Sequence, residues 1–158
     1  MSNTIGATGS GVILSIGTPG EGETFTSILQ VKSISWTQPT LQTEDATCLS
    51  SPTLGEATVK QYLPTVIEPG KFEASAIYLS TDTGLAALMT AFSSTVLHDF
   101  KVQFPVITQF GQTTTGNLYS FSGFVLEQPI PDGIDPTKLL TYKISIQITT
   151  AVTFTAGS

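Results

Sequence analysis

The chain has 158 residues, a formal net charge of −6 and only 11% charged side chains, where soluble domains usually carry roughly 25%. Its six lysines (32, 60, 71, 101, 138, 143) are scattered and arginine is absent, which excludes a nucleic-acid reader needing clustered positive charge and guanine-reading forks. Cys48 is the single cysteine, so neither an intrachain disulfide nor a thiolate zinc site can be built.

The length suits one domain, 1–158, with a hydrophobic core. Residues 1–11 are small and polar and read as a flexible arm. They lack a basic leader and are followed by a five-residue apolar run, so neither signal peptide nor membrane span is expected, and the protein is expected in the cytoplasm when made. Val12, Leu14 and Ile16 alternate with Ile13 and Ser15 as a first strand. Thr18-Pro19-Gly20 is turn chemistry. Phe25 to Trp36 reads as one second strand whose inward set starts odd (Phe25, Leu29, Val31) and ends even (Ile34, Trp36). That slip of one residue near Lys32–Ser33 predicts a bulge.

From 37 to 68 the alternation collapses around Pro39, Pro52, Gly55 and Pro64. A segment this long without a pattern reads as a working loop or loose hairpin, ordered by a neighbour. Alternation returns at Phe72, Ala74, Ala76 and Tyr78. The helix follows: Leu85, Leu88, Met89 and Phe92 fall at i, i+3, i+4 and i+7, one stripe, with Thr81 or Asp82 as the cap. Such a short helix is marginal alone and must dock on a sheet. Strands at Val96–Phe104 and Leu118–Glu127 flank a Gly/Thr/Gln loop.

The last element is the longest. Leu140, Tyr142, Ile144, Ile146, Ile148, Val152 and Phe154 share one parity, broken only at Thr150, and predict one strand of about fifteen residues buried on one face. Lys143 lies on the polar parity. The tally is about six strands and one helix, an all-β chain of sandwich or barrel type.

Chemistry is sparse. His98 is the sole histidine and shares parity with Phe100 and Val102, as a hydrogen-bonded core imidazole would. Glu44 and Asp45 are neighbours in extended backbone and point apart. Asp132 and Asp135 offer oxygen to a calcium ion, but Pro-Asp-Gly is ordinary turn sequence. No phosphate-cradling glycine motif or nucleophile elbow is present. Catalysis, metals and cofactors are therefore not expected.

In order, GTPGEGETFTSILQVKSIS, TEDATCLSS, VIEPGKFEASAIYL, TGLAALMTAF, HDFKVQFP and YSFSGFVLEQPIP before the terminal strand resemble the major tail tube protein of long, non-contractile-tailed bacteriophages. The likeness spans nearly the whole chain. It departs from that pattern at Asp45-Ala46-Thr47 and Thr150-Ala151. It implies a β-sandwich or barrel subunit that forms hexameric rings, which stack into a hollow tube passing DNA without specific binding. It further implies tape measure, tail terminator and distal tail proteins as partners, no membrane, and a place in the virion tail after assembly in the host cytoplasm.

On this reading 37–68 is the inter-ring assembly loop, with Glu44, Asp45, Tyr62, Leu63, Val66 and Ile67 as contact residues. Leu85, Leu88, Met89 and Phe92 pack the helix, and Tyr142, Ile144, Ile146 and Ile148 form the inner-sheet strand. Residues 1–11 and those after Phe154 are expected to order only in the tube. Alternatives are a hexameric secretion-tube or distal tail ring subunit. From another class, a carbohydrate-binding β-sandwich module would need exposed aromatics such as Trp36, and an acid-based hydrolase would need a carboxylate cleft.

Overall fold

The computed structural model describes residues 11–18, 23–46 and 60–158. Period-two sequence makes most of its strands. In β1 (Ile13–Gly17) Leu14 and Ile16 turn inward and are buried. The same alternation buries Phe72, Ala74 and Ala76 in β6 (Lys71–Ile77). It buries His98, Phe100 and Val102 in β7 (His98–Gln103). In β8 (Leu118–Val125) Phe121 is buried, and in β9 (Thr141–Ile148) so are Tyr142, Ile144, Ile146 and Ile148.

With β2 (Phe25–Ile28) and β3 (Val31–Trp36) these strands form one antiparallel sheet in the order β2-β1-β7-β8-β9-β6-β3, and β10 (Thr153–Thr155) also pairs with β8. The sheet curls over its apolar face. Trp36 in β3 lies 5.3 Å from Phe121 in β8, ring centroid to centroid, although two strands separate them along the sheet. Phe72 and Phe100 complete this aromatic centre, edge-on to Trp36 and stacked on Phe121 respectively.

The expected single strand 25–36 is instead two strands at opposite edges of the sheet. The chain turns a corner at Leu29–Gln30, where Gln30 adopts φ 52°, and Leu29, expected inward, is half exposed. Hydrogen bonds hold the corner. Leu29 N–H donates to Asp82 Oδ2 at 3.2 Å, and Ile77 N–H donates to the Gln30 carbonyl at 3.1 Å. The register shift between Val31 and Ser33 is the bulge that the parity slip anticipated.

Helix α1 (Thr83–Ser94) is capped by Asp82, whose Oδ1 accepts from Gly84 N–H at 2.9 Å. Its buried residues are Gly84, Leu85, Leu88 and Ala91, while Met89 and Phe92 are half-buried at the margin. The stripe is turned toward Gly84 because the helix lies directly on β2. A Cβ at Gly84 would come within 2.6 Å of the Ser27 carbonyl and 2.7 Å of Ile28 Cα. The same Asp82 thus caps the helix and pins the strand corner beneath it.

Two further expectations are corrected. The terminal strand is interrupted: Ile148 pairs with Gly123, but Thr153 pairs with Ser120, so two extra residues bulge out between them. There the Thr150 hydroxyl, not a backbone carbonyl, accepts from Ser122 N–H at 2.9 Å. An excess of two residues preserves parity, so Phe154 still meets Tyr119 at 5.1 Å. Residues after Phe154 do not wait for a partner. The N–H groups of Thr113, Thr114 and Thr115 all donate to the Ser158 main-chain oxygen, and Gly157 N–H donates to Asn117 Oδ1. Of the arm 1–11, only Gly11 lies among the described residues.

Candidate assembly surfaces

The segment 37–68 is a β-hairpin in its described parts. β4 (Thr40–Asp45) pairs with β5 (Tyr62–Glu68), from Thr40↔Glu68 to Asp45↔Tyr62. The ladder is formed within one chain. Residues 47–59, including Cys48, lie outside the described residues.

The hairpin prolongs the β3–β6 pair. Trp36 faces Phe72, Thr37 N–H donates to the Lys71 carbonyl at 2.9 Å, and Thr40 then faces Glu68. Between them Gly70 lets the two strands cross closely, because a Cβ there would stand 1.6 Å from the Thr37 carbonyl oxygen. Pro39 and Pro69 flank this junction.

Every residue of β4 and β5 is exposed. Leu41, Tyr62, Leu63, Val66 and Ile67 are each between 56% and 61% exposed. Hiding five such side chains in a partner is worth on the order of 10 kcal/mol before the cost of association. Glu44 and Asp45 stand near the far end of the described ladder, with Asp45 opposite Tyr62. Sequence patterning left a loop and a loose hairpin both open here, because neither strand has a buried face to impose alternation.

The other sequence-selected residues lie elsewhere. Leu85 and Leu88 fill the core under α1, and Tyr142, Ile144, Ile146 and Ile148 sit at its centre. None of these reaches the hairpin surface. The opposite face of β9 exposes Lys143 beside β6, where Lys71 and Glu73 form an ion pair at 2.9 Å. Four large apolar residues that the sequence did not single out are also exposed on the connection between β8 and β9: Leu126, Ile130, Ile134 and Leu139.

Titratable groups meet at one further place. Glu23, Asp99 and Lys101 lie along the outward side of β1 and β7, where the Ser122 hydroxyl donates to Asp99. Burial pushes the Glu23 carboxyl up from its ordinary value. The charge and hydrogen bond of Asp99 add to this, and Lys101 and His98 oppose it. Lys101 Nζ rests 3.8 Å from the Phe25 ring centre. His98 is buried, with Nδ1 3.0 Å from the Gly17 carbonyl. Among the described residues no group of three His, Cys, Asp or Glu side chains is placed to hold a metal ion. Asp135 is occupied by its own turn, accepting from Thr137 N–H and then from the Thr137 hydroxyl, which holds its carboxyl below the usual range. Trp36 is half-buried and packs edge-on against Phe72, Tyr119 and Phe121 as part of the aromatic centre.

No protein-family model and no curated protein matches the chain in sequence. Solved structures do match in fold. One is a chain in the tail of an empty gene transfer agent particle with C6 symmetry, 16% identical with a TM-score of 0.66, covering 96% of this chain and all of that one. Another comes from the sheath/tube terminator of an extracellular contractile injection system, 12% identical with a TM-score of 0.67, covering 98% of this chain and all of that one. A third, from the tube-terminating cap of the anti-feeding prophage, is 10% identical with a TM-score of 0.66, covering 99% and 95%. The fold is therefore the mainly-β fold found in the tails and tube ends of such particles. The match spans nearly the whole of both chains in each case.

Proposed function

We propose that the chain is a structural subunit that assembles with copies of itself into six-fold rings, stacked into the hollow tube of a phage-like tail. The observation that carries this is the β4–β5 hairpin, an ordered ribbon of exposed apolar side chains that leaves the body and demands a partner. The full-length likeness to particle tails, one of them with C6 symmetry, supports the ring. The resemblance noted in the sequence specifies a non-contractile tail. The same fold occurs in contractile injection systems, so both tail types share it. The place of action is the particle tail after assembly in the host cytoplasm. Tape measure, terminator and distal tail proteins are the partners this reading assigns, and it assigns no catalysis.

Charge suits a conduit. Six copies carry a formal −36 per ring, and a negatively charged wall repels DNA, which lets it slide. A second reading, a terminating ring that caps a tube without stacking, is favoured by the likeness to terminator and cap chains.

Thr40 and Glu68 are cross-strand partners, so Leu41–Ile67 can be removed and the strands rejoined by Asn-Gly. The shortened protein is expected to keep its fold by circular dichroism and to form no tubes by negative-stain electron microscopy. Normal tubes from it would sink the hairpin's role. Unsubstituted protein that forms single rings at every concentration would establish the terminating-ring reading.

A further inference from the structure

We propose that the connection between β8 and β9 is the surface that receives the β4–β5 hairpin of a second copy, an inference that rests on the tube reading above and names the contact that stacks it. The β6–β9 ladder runs from Lys71↔Gln147 to Ile77↔Thr141, which separates its ends by about 20 Å. The hairpin leaves from the Lys71 end, through the Thr37–Lys71 hydrogen bond. The β8–β9 connection lies at the Ile77 end, where Asp132 N–H donates to the Thr141 carbonyl at 2.7 Å and Tyr78 N–H donates to the Leu140 carbonyl at 2.8 Å.

That end is apolar. Ile130, Ile134 and Leu139 are 58%, 79% and 70% exposed. Leu29, half exposed on the strand corner, is at the same end, because the adjacent Gln30 carbonyl holds Ile77 N–H. The hairpin presents five apolar side chains at the opposite end of the same body. Surfaces at opposite ends cannot meet within one copy, but they meet between copies displaced along that axis. The contact is heterologous and does not close, so each added copy offers the same free end again. A hairpin-to-hairpin contact would be isologous and would stop at a pair.

The receiving surface is also built in advance. Asp135 Oδ1 accepts from Thr137 N–H at 2.9 Å and from its hydroxyl at 2.8 Å, and Lys138 N–H returns to the Asp135 carbonyl at 3.2 Å. Gly133 takes the φ of 65° that the turn requires. A pre-shaped loop loses little entropy on docking. Charge is mixed at both ends: Lys138 and Lys32 stand exposed at the receiving end beside Asp132 and the half-buried Asp135, and Glu44, Asp45 and Glu68 stand exposed on the hairpin beside Lys60.

Two measurements test this. First, benzoylphenylalanine is placed at Ile134 in the full chain, mixed as a minority with unsubstituted protein, assembled and irradiated. The expected crosslinks join residue 134 to a peptide spanning 40–45 or 60–68 of another copy. Tubes that crosslink residue 134 elsewhere, or to no other copy, overturn this contact and leave the tube reading standing. If the unsubstituted protein forms neither ring nor tube, both readings fall together. Second, the Ile134→Asp/Leu139→Asp variant is expected to melt with the parent, since both side chains are exposed. It should still form rings, and its stacking should need about tenfold more protein, or greater. Stacking at the parent concentration overturns the proposal, and should this variant fail to fold, the crosslinking result decides.

Discussion

Tyr142 carries its hydroxyl into the fully buried core, and among the described residues that hydroxyl finds no hydrogen-bond partner. Burial pushes its pKa up to about 12, and the Asp82 carboxylate adds to the shift. The neutral form is therefore the one the fold accepts. Below pH 10 both folded and unfolded chains hold the proton and the shift has no effect. As pH rises from about 10 to about 12 the unfolded chain ionises first, and stability falls. Tyr142→Phe removes an unsatisfied buried group, so it should be neutral or slightly stabilising at pH 7. It should also flatten the loss of stability between pH 10 and 12 in urea titrations. An unchanged alkaline slope would mean that another group governs that window. The parity that placed Tyr142 inside was legible in the sequence; its missing partner was not, because that depends on which side chains converge on it.

Element by element, legibility followed burial. β1, β6, β7, β8 and β9 each have one buried face, and there the sequence alternates. β4 and β5 have none, so Thr40–Asp45 and Tyr62–Glu68 look patternless although they are regular strands. The corner at Leu29–Gln30 was hidden by an apolar run that continues through it. The two-residue excess before β10 was hidden because it leaves parity intact. For α1 the spacing of leucines located the helix, but Gly84 and Ala91 rather than Met89 and Phe92 complete its buried stripe. The cause is the close seat on β2, which only a residue without a side chain at 84 permits. A twelve-residue helix with one capping carboxylate is held by that contact far more than by its own propensity. Leu88→Ala, at a fully buried position, should cost about 2–5 kcal/mol of unfolding free energy. Met89→Ala, half-buried, should cost clearly less. Denaturant melts of the two variants check the order, and an equal cost would mean that α1 packs through the stripe read from sequence.

At the scale of the whole molecule, two forces of opposite sign meet. The hairpin and the β8–β9 connection offer apolar surface at opposite ends, which favours end-on addition. Each copy also brings a formal −6 and no arginine to bridge acids across an interface, so addition works against net repulsion. Screening separates the two terms. The Debye length is about 30 Å at 0.01 M salt and about 10 Å at 0.1 M, so repulsion between copies fades over that range while apolar burial does not. The concentration at which light scattering reports tubes should therefore fall as sodium chloride rises from 0.01 M toward 0.3 M. Stacking held chiefly by ion pairs, such as Lys138 or Lys32 against Glu44 or Glu68, would respond in the opposite sense, the threshold rising with salt. A threshold that rises would demote the apolar contact to a secondary role and make these charges the first residues to exchange, Lys138→Glu together with Glu68→Lys restoring what either alone abolishes.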